Sequence, residues 1–118
     1  PGPSAQGYWL DRAEALSKAR DLPGLLDHVH RLVQAEPKNP AAWFNLGVAH
    51  DQLGRWREAA DAFREALRLK PDLAEAWTCL ALAYALSGNR TAALQALKEL
   101  RRYDPGKADK LFDLIMGR

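Results

Sequence analysis

Cys79, three histidines and a scatter of carboxylates are the side chains of this 118-residue chain that could do chemistry. A catalytic thiol needs a neighbouring base to take its proton, and no histidine stands where it could activate Cys79. A helical metal site needs ligands four residues apart on one face. His28 and His30 are two apart on a predicted helix and point in different directions, while His50 lies on an apolar packing face. Carboxylates fall at scattered, solvent-facing helical positions, without the pair that general acid–base work requires. The glycines never fall in a phosphate-cradling GxxxxGK[ST] run. The chain therefore reads as a non-enzyme, with no catalytic residues, no metal site and no cofactor.

Composition narrows the choice further. With 47% apolar and 27% charged residues the chain is too apolar to be disordered and long enough for one modest core. The formal net charge of +2 lacks the basic face of a nucleic-acid binder. The densest basic segment, Lys98, Arg101, Arg102, Lys107 and Lys110, is interrupted by Glu99, Asp104 and Asp109 and reads as a solvated helix face. No apolar run is long enough to span a bilayer. A lone cysteine makes an internal disulfide impossible and fits a reducing compartment such as the cytoplasm. The opening PGPSAQG lacks an initiator Met. Its Pro/Gly/Ser content reads as a linker or cloning remnant over residues 1–5, so the chain is expected to be a piece of a longer protein.

The elements that would carry any function emerge from self-comparison. Pro37, Pro71 and Pro105 are spaced by 34 residues, as are Trp9, Trp43 and Trp77. Gly54 and Gly88, Ala59 and Ala93, and Phe63 and Leu97 keep the same interval. Each unit reads as two helices and a tight turn. In the middle unit Asn39 caps and Pro40 opens a helix that runs to about Leu53 and stops at Gly54. A second helix runs from about Trp56 to Leu69 and ends before Pro71. The third unit repeats this from Ala74 to about Ser87 and from Arg90 to about Arg102. Strand signals are absent.

Trp43-x-x-Leu46-Gly47, Ala59-x-x-x-Phe63 and Pro71 together resemble the tetratricopeptide repeat (TPR). The next unit offers Trp77-x-x-Leu80-Ala81-x-x-Tyr84, Ala93-x-x-x-Leu97 and Pro105. His50 replaces the usual Tyr and Ala81 the usual Gly. The first unit departs most, with Arg12 and Arg20 where Leu and Gly are usual, as suits the end of a stack. The resemblance implies an all-α fold: a right-handed superhelical α-solenoid of three helix-turn-helix hairpins plus a C-terminal capping helix. The repeats would span about residues 6–39, 40–73 and 74–107, the capping helix about 107–116, and the domain 6–118.

Two stripes run along the first helix of the middle unit. Trp43, Leu46, Gly47, His50 and Leu53 match the family's packing positions, and Gly47 lets the paired helix come close. Ala59, Ala62, Phe63 and Ala66 form the complementary face. The second stripe holds Phe44, Asn45, Val48, Asp51 and Gln52; its equivalents are Glu75, Thr78, Cys79, Leu82 and Leu86 in the third unit and Leu10 and Glu14 in the first. Arrays of this family curve so that first helices line a concave groove, which places this stripe on its floor. The resemblance thus implies a protein–protein interaction module, a scaffold or adaptor that takes a peptide or helix of a partner in a largely apolar groove edged by acids. Some cochaperones of the family grip a terminal carboxylate with Lys, Arg and Asn; only Asn45 matches that set here, and Leu10, Glu14, Glu75 and Cys79 replace the rest.

The tail KADKLFDLIM continues the register, with Leu111 where the next Trp would fall and Phe112 aligned with Phe44 to extend the groove floor. Leu111, Phe112, Leu114, Ile115 and Met116 are more apolar than a cap requires. That leaves a second reading, a self-associating homo-oligomeric scaffold whose C-terminal helix docks on a neighbouring subunit, and a third, an accessory domain of a larger protein.

Overall fold

The computed structural model describes residues 21–117. Six helices occupy them: α1 (Leu22–Ala35), α2 (Pro40–Gln52), α3 (Trp56–Leu69), α4 (Ala74–Leu86), α5 (Arg90–Leu100) and α6 (Pro105–Met116). No strand occurs among the described residues. The expected linker and first helix, with Trp9, Leu10 and Glu14, lie outside them. Each helix packs on the next, and α2 touches α4 as α4 touches α6. The result is a row of helices measuring 48 × 25 × 20 Å.

Four of the six helices start at short polar side chains that satisfy otherwise orphaned backbone donors; α3 and α4, which follow Arg55 and Leu73, have no such cap. Asn39 accepts from the amide of Ala41 at 3.0 Å, with Pro40 opening α2. Asn89 accepts from Ala92 at 3.1 Å and starts α5. Both hairpin turns close in the same way. Gly54 (φ +73°) and Gly88 (φ +85°) take the left-handed conformation, which costs glycine nothing. The next amides, of Arg55 and Asn89, then donate to the carbonyls of His50 and Tyr84 at 2.9 and 2.8 Å.

The tryptophan and proline periods share one cause. The Trp43 indole N–H donates to the Pro37 carbonyl at 2.7 Å, and Trp77 donates to Pro71 at 2.8 Å. Each indole is half-buried and pins the connection that precedes its own helix. Within the middle hairpin, a Cβ on Gly47 would sit 2.5 Å from the ring of Phe63, which is wholly buried. At the equivalent positions the third unit carries Ala81 and the smaller Leu97, both buried in one core cluster, so the methyl gained on one helix is matched by volume lost on the other.

The end of the array departs from the register. The second helix of the third unit was expected to reach about Arg102 but ends at Leu100, and the last helix begins at Pro105, not near 107. Asp104 accepts from the amide of Lys107 at 3.1 Å, and Pro105 occupies the position where its missing N–H is harmless. The cap starts α6 about three residues ahead of the period set by Pro40 and Ala74.

Candidate functional site

α2 and α4, PAAWFNLGVAHDQ and AEAWTCLALAYAL, carry apolar residues on more than one side. A helix of that kind must be covered on every side or present one side to a ligand. α3 shows the contrast: WREAADAFREALRL buries Ala59, Ala62, Phe63 and Ala66 and gives its charges to water. The second helices are thus ordinary amphipathic elements, and the surplus apolar surface sits on the first helices.

The surplus is partly consumed by the core. Phe44, Val48, Cys79, Leu82 and Phe112 are half-buried and pack against the larger of two core clusters, the one centred on Phe63, Leu80, Leu97 and Leu100. The Phe44 ring lies 5.5 Å from that of Phe63, tilted by 54°. Leu86, at the end of α4, is 59% exposed. Asn45 is half-buried, Gln52 and Glu75 are exposed, and the Thr78 hydroxyl donates back to the Ala74 carbonyl at 3.0 Å. Phe44 and Glu75 meet in a depression of roughly 480 Å³ between the N-terminal ends of α2 and α4. Leu10 and Glu14 fall outside the described residues.

Electrostatics tie the three first helices to one face. Burial pushes the Cys79 thiol up to about 11, with Asp51 of α2 and Glu75 of α4 adding to the shift and Lys107 of α6 opposing it. The thiol is protonated at neutral pH and is no nucleophile. Asp51 is itself raised to about 6 by burial, and its Oδ1 is shielded from water with no hydrogen-bond partner. A carboxylate in that state is a polar anchor waiting for a donor. On the other side of α2, the buried His50 has its pKa lowered first by burial and then by His30, whose ring it meets edge-on at 5.9 Å. Among the described residues no group of three His, Cys, Asp or Glu side chains could hold a metal ion, and no helix is long and apolar enough to cross a membrane.

The unpaired Asp51 and the contact between Phe44 and Phe63 were beyond the sequence pattern. Helical spacing puts residue 44 on the groove stripe but says nothing of how far its ring can lean, and the gap above Gly47 admits Phe63 toward it.

A stack of helical hairpins with this closure defines a helical-repeat protein, and comparison with known proteins gives the class its name. Residues 40–73 match the family model for the tetratricopeptide repeat. The chain thus contains a tetratricopeptide repeat, set within an all-α fold. It is 35% identical over 77 residues to the anaphase-promoting complex subunit CDC16 of Saccharomyces cerevisiae, an overlap of 65% of this chain and 9% of that protein. It spans about a tenth of the length of the curated relatives it matches. A mutant of MamA superposes with a TM-score of 0.76 at 27% identity, covering 87% of this chain and 75% of that one. The first TPR of Spaghetti (RPAP3), bound to an HSP90 peptide, superposes with a TM-score of 0.86 over 93% of this chain and 89% of that one; at 16% identity it shares the fold.

Proposed function

We propose that residues 6–118 form one domain, with repeats at about 6–39, 40–73 and 74–107, that binds a peptide or helix of a partner protein along the face of α2, α4 and α6. The observation that carries this reading is the surplus apolar side of α2 and α4, where Leu86 stands 59% exposed beside the half-buried Phe44, Val48 and Leu82. Burial of that strip supplies affinity, and Asp51, Gln52, Glu75 and Asn45 set register. A surface of this kind supports micromolar binding, on the order of −8 kcal/mol. The domain would then serve as a scaffold or adaptor, either alone or as an accessory part of a longer protein.

The chemistry of the face favours a ligand unlike an acidic tail. Asp51 and Glu75 both bear on Cys79, and a carboxylate placed among them would be repelled. The test is selection of peptides from an unbiased display library on the immobilised domain, repeated with Leu82→Asp and Leu86→Asp variants. Loss of the selected peptides with unchanged helicity supports the reading, and full retention by both variants overturns it.

One observation favours a second reading, self-association through α6. Leu114 is 69% exposed, whereas Leu46 and Leu80, its counterparts 68 and 34 residues earlier, are 6% and 3% exposed. A second copy covering α6 would give Leu114 the burial its counterparts have.

A further inference from the structure

A separate cavity shares no lining residue with the proposed groove face. A cleft of roughly 600 Å³ opens between α3, α4 and α5. Leu67, Trp77, Leu80 and Tyr84 form its apolar wall, and Arg64, Arg68 and Lys98 stand around it with one carboxylate, Glu99.

The 34-residue register supplies an internal control. One repeat earlier the same positions are His30, Val33, Gln34, Trp43, Leu46, His50, Glu58, Asp61, Arg64 and Glu65. There the exposed His30 ring meets the buried His50 ring edge-on at 5.9 Å, and Glu58 lies close enough to raise the pKa of His50. In the later cleft Arg64 and Tyr84 replace the two histidines and Ala92 replaces Glu58, so no such ring pair lines the cavity there. The charge inverts as well. Glu58, Asp61 and Glu65 against Arg64 become Glu99 alone against Arg64, Arg68 and Lys98.

The cations are exchangeable. Arg64 meets the exposed Asp61 at 3.8 Å and Arg68 meets the half-buried Glu65 at 2.5 Å, both along the surface of one helix, where such pairs contribute little and are screened by salt. Lys98 makes no ion pair with a described residue. A ligand carboxylate can take these donors while an attached apolar side chain enters against Trp77 and Tyr84.

We infer that this cleft is a second docking site, taking an acidic segment of a partner protein that carries a large apolar side chain. It is independent of the groove on the first helices, since it shares none of that face's residues. The probe is an N-acetylated, C-amidated peptide of sequence EDFEEL, titrated by amide and indole NMR, beside KKFKKL as its charge-inverted control. The expected result is saturable shifts at the Trp77 indole and the α3 and α5 amides, weakened about tenfold by Arg68→Glu with Lys98→Glu. Ala92→Glu, which restores the acid that stands at Glu58, should weaken it as strongly, and Leu86→Asp should leave it within about twofold. Because Arg68 and Lys98 are exposed, thermal melts of the charge-reversed protein should match the parent. Shifts confined to α2 and α4, equal binding of KKFKKL, or an affinity untouched by charge reversal would each overturn the proposal.

Discussion

Phe44 and Phe63 lie with ring centroids 5.5 Å apart, so the aromatic side chain beside Trp43 leans on the core while its outer part borders the proposed groove. Phe63 is fully buried and sits where any side chain at Gly47 would have to go. One missing Cβ therefore sets the hairpin spacing and the position of a ring in the binding face. Phe44→Ala should cost about 1–2 kcal/mol of stability through the lost ring contact, in addition to weakening a groove ligand. Denaturant unfolding beside a binding titration separates the two effects. No loss of stability would show that the ring contact carries no weight.

Gly47→Ala should destabilise the domain by about 1–3 kcal/mol, because the new methyl meets a ring with nowhere to move. Adding Phe63→Leu, the pairing used by Ala81 and Leu97, should recover part of that loss. Urea midpoints of both single variants and the double give the coupling, and strict additivity would contradict the account.

Trp77→Phe keeps a ring but deletes the donor to Pro71, and should cost about 1 kcal/mol. Trp77→Ala loses packing as well and should cost about 3 kcal/mol, shifting the thermal midpoint by several degrees. Equal effects of the two substitutions would remove the hydrogen bond from the explanation of the paired Trp and Pro periods.

Asp51 and His50 pull stability in opposite directions with pH. The Asp51 carboxyl is raised to about 6 by burial, so the folded state holds its proton more tightly than the unfolded state, and this group favours folding increasingly as pH falls from 7 through 6. His50 is lowered, so below its ordinary value of 6.5 the unfolded state takes up the proton and stability is lost. Asp51→Asn should raise stability at pH 7 by about 1 kcal/mol, a figure reduced for solvent screening of a half-exposed group. It should also leave a profile that falls more steeply between pH 6.5 and 5. Melts across that range decide it; a lower midpoint at pH 7 would mean that Asp51 already has a donor.

Much of the fold is legible in the chain because its causes are local and recur. Asn39 with Pro40, Asn89, and Gly54 with its counterpart Gly88 fix helix ends through capping and backbone geometry, which need no knowledge of neighbours. The early start of α6 was also written locally, in Asp104-Pro105, but the 34-residue period outweighed it. What stayed hidden depends on contacts between distant residues. The cleft near Lys98 lies where a histidine pair stands one repeat earlier, and periodicity alone cannot show which rings meet. Asp51 reads as a solvated groove edge until its Oδ1 is seen to be buried without a partner.

If α6 joins two copies, Leu114→Asp should abolish any concentration-dependent rise in mass while leaving helicity intact, because its side chain is 69% exposed in one copy. Light scattering across about a hundredfold range of concentration reads this directly. A mass that rises equally in the variant would move the contact elsewhere, and a strict monomer in the parent would remove the second reading.

The division of labour between faces is tested most directly by an amide-NMR footprint of a library-selected peptide on the intact domain. The account predicts shifts on α2 and α4 around Val48, Leu82 and Leu86, with Leu82→Asp abolishing them at unchanged helicity. A footprint that avoids those residues, or one that survives Leu82→Asp, would contradict it.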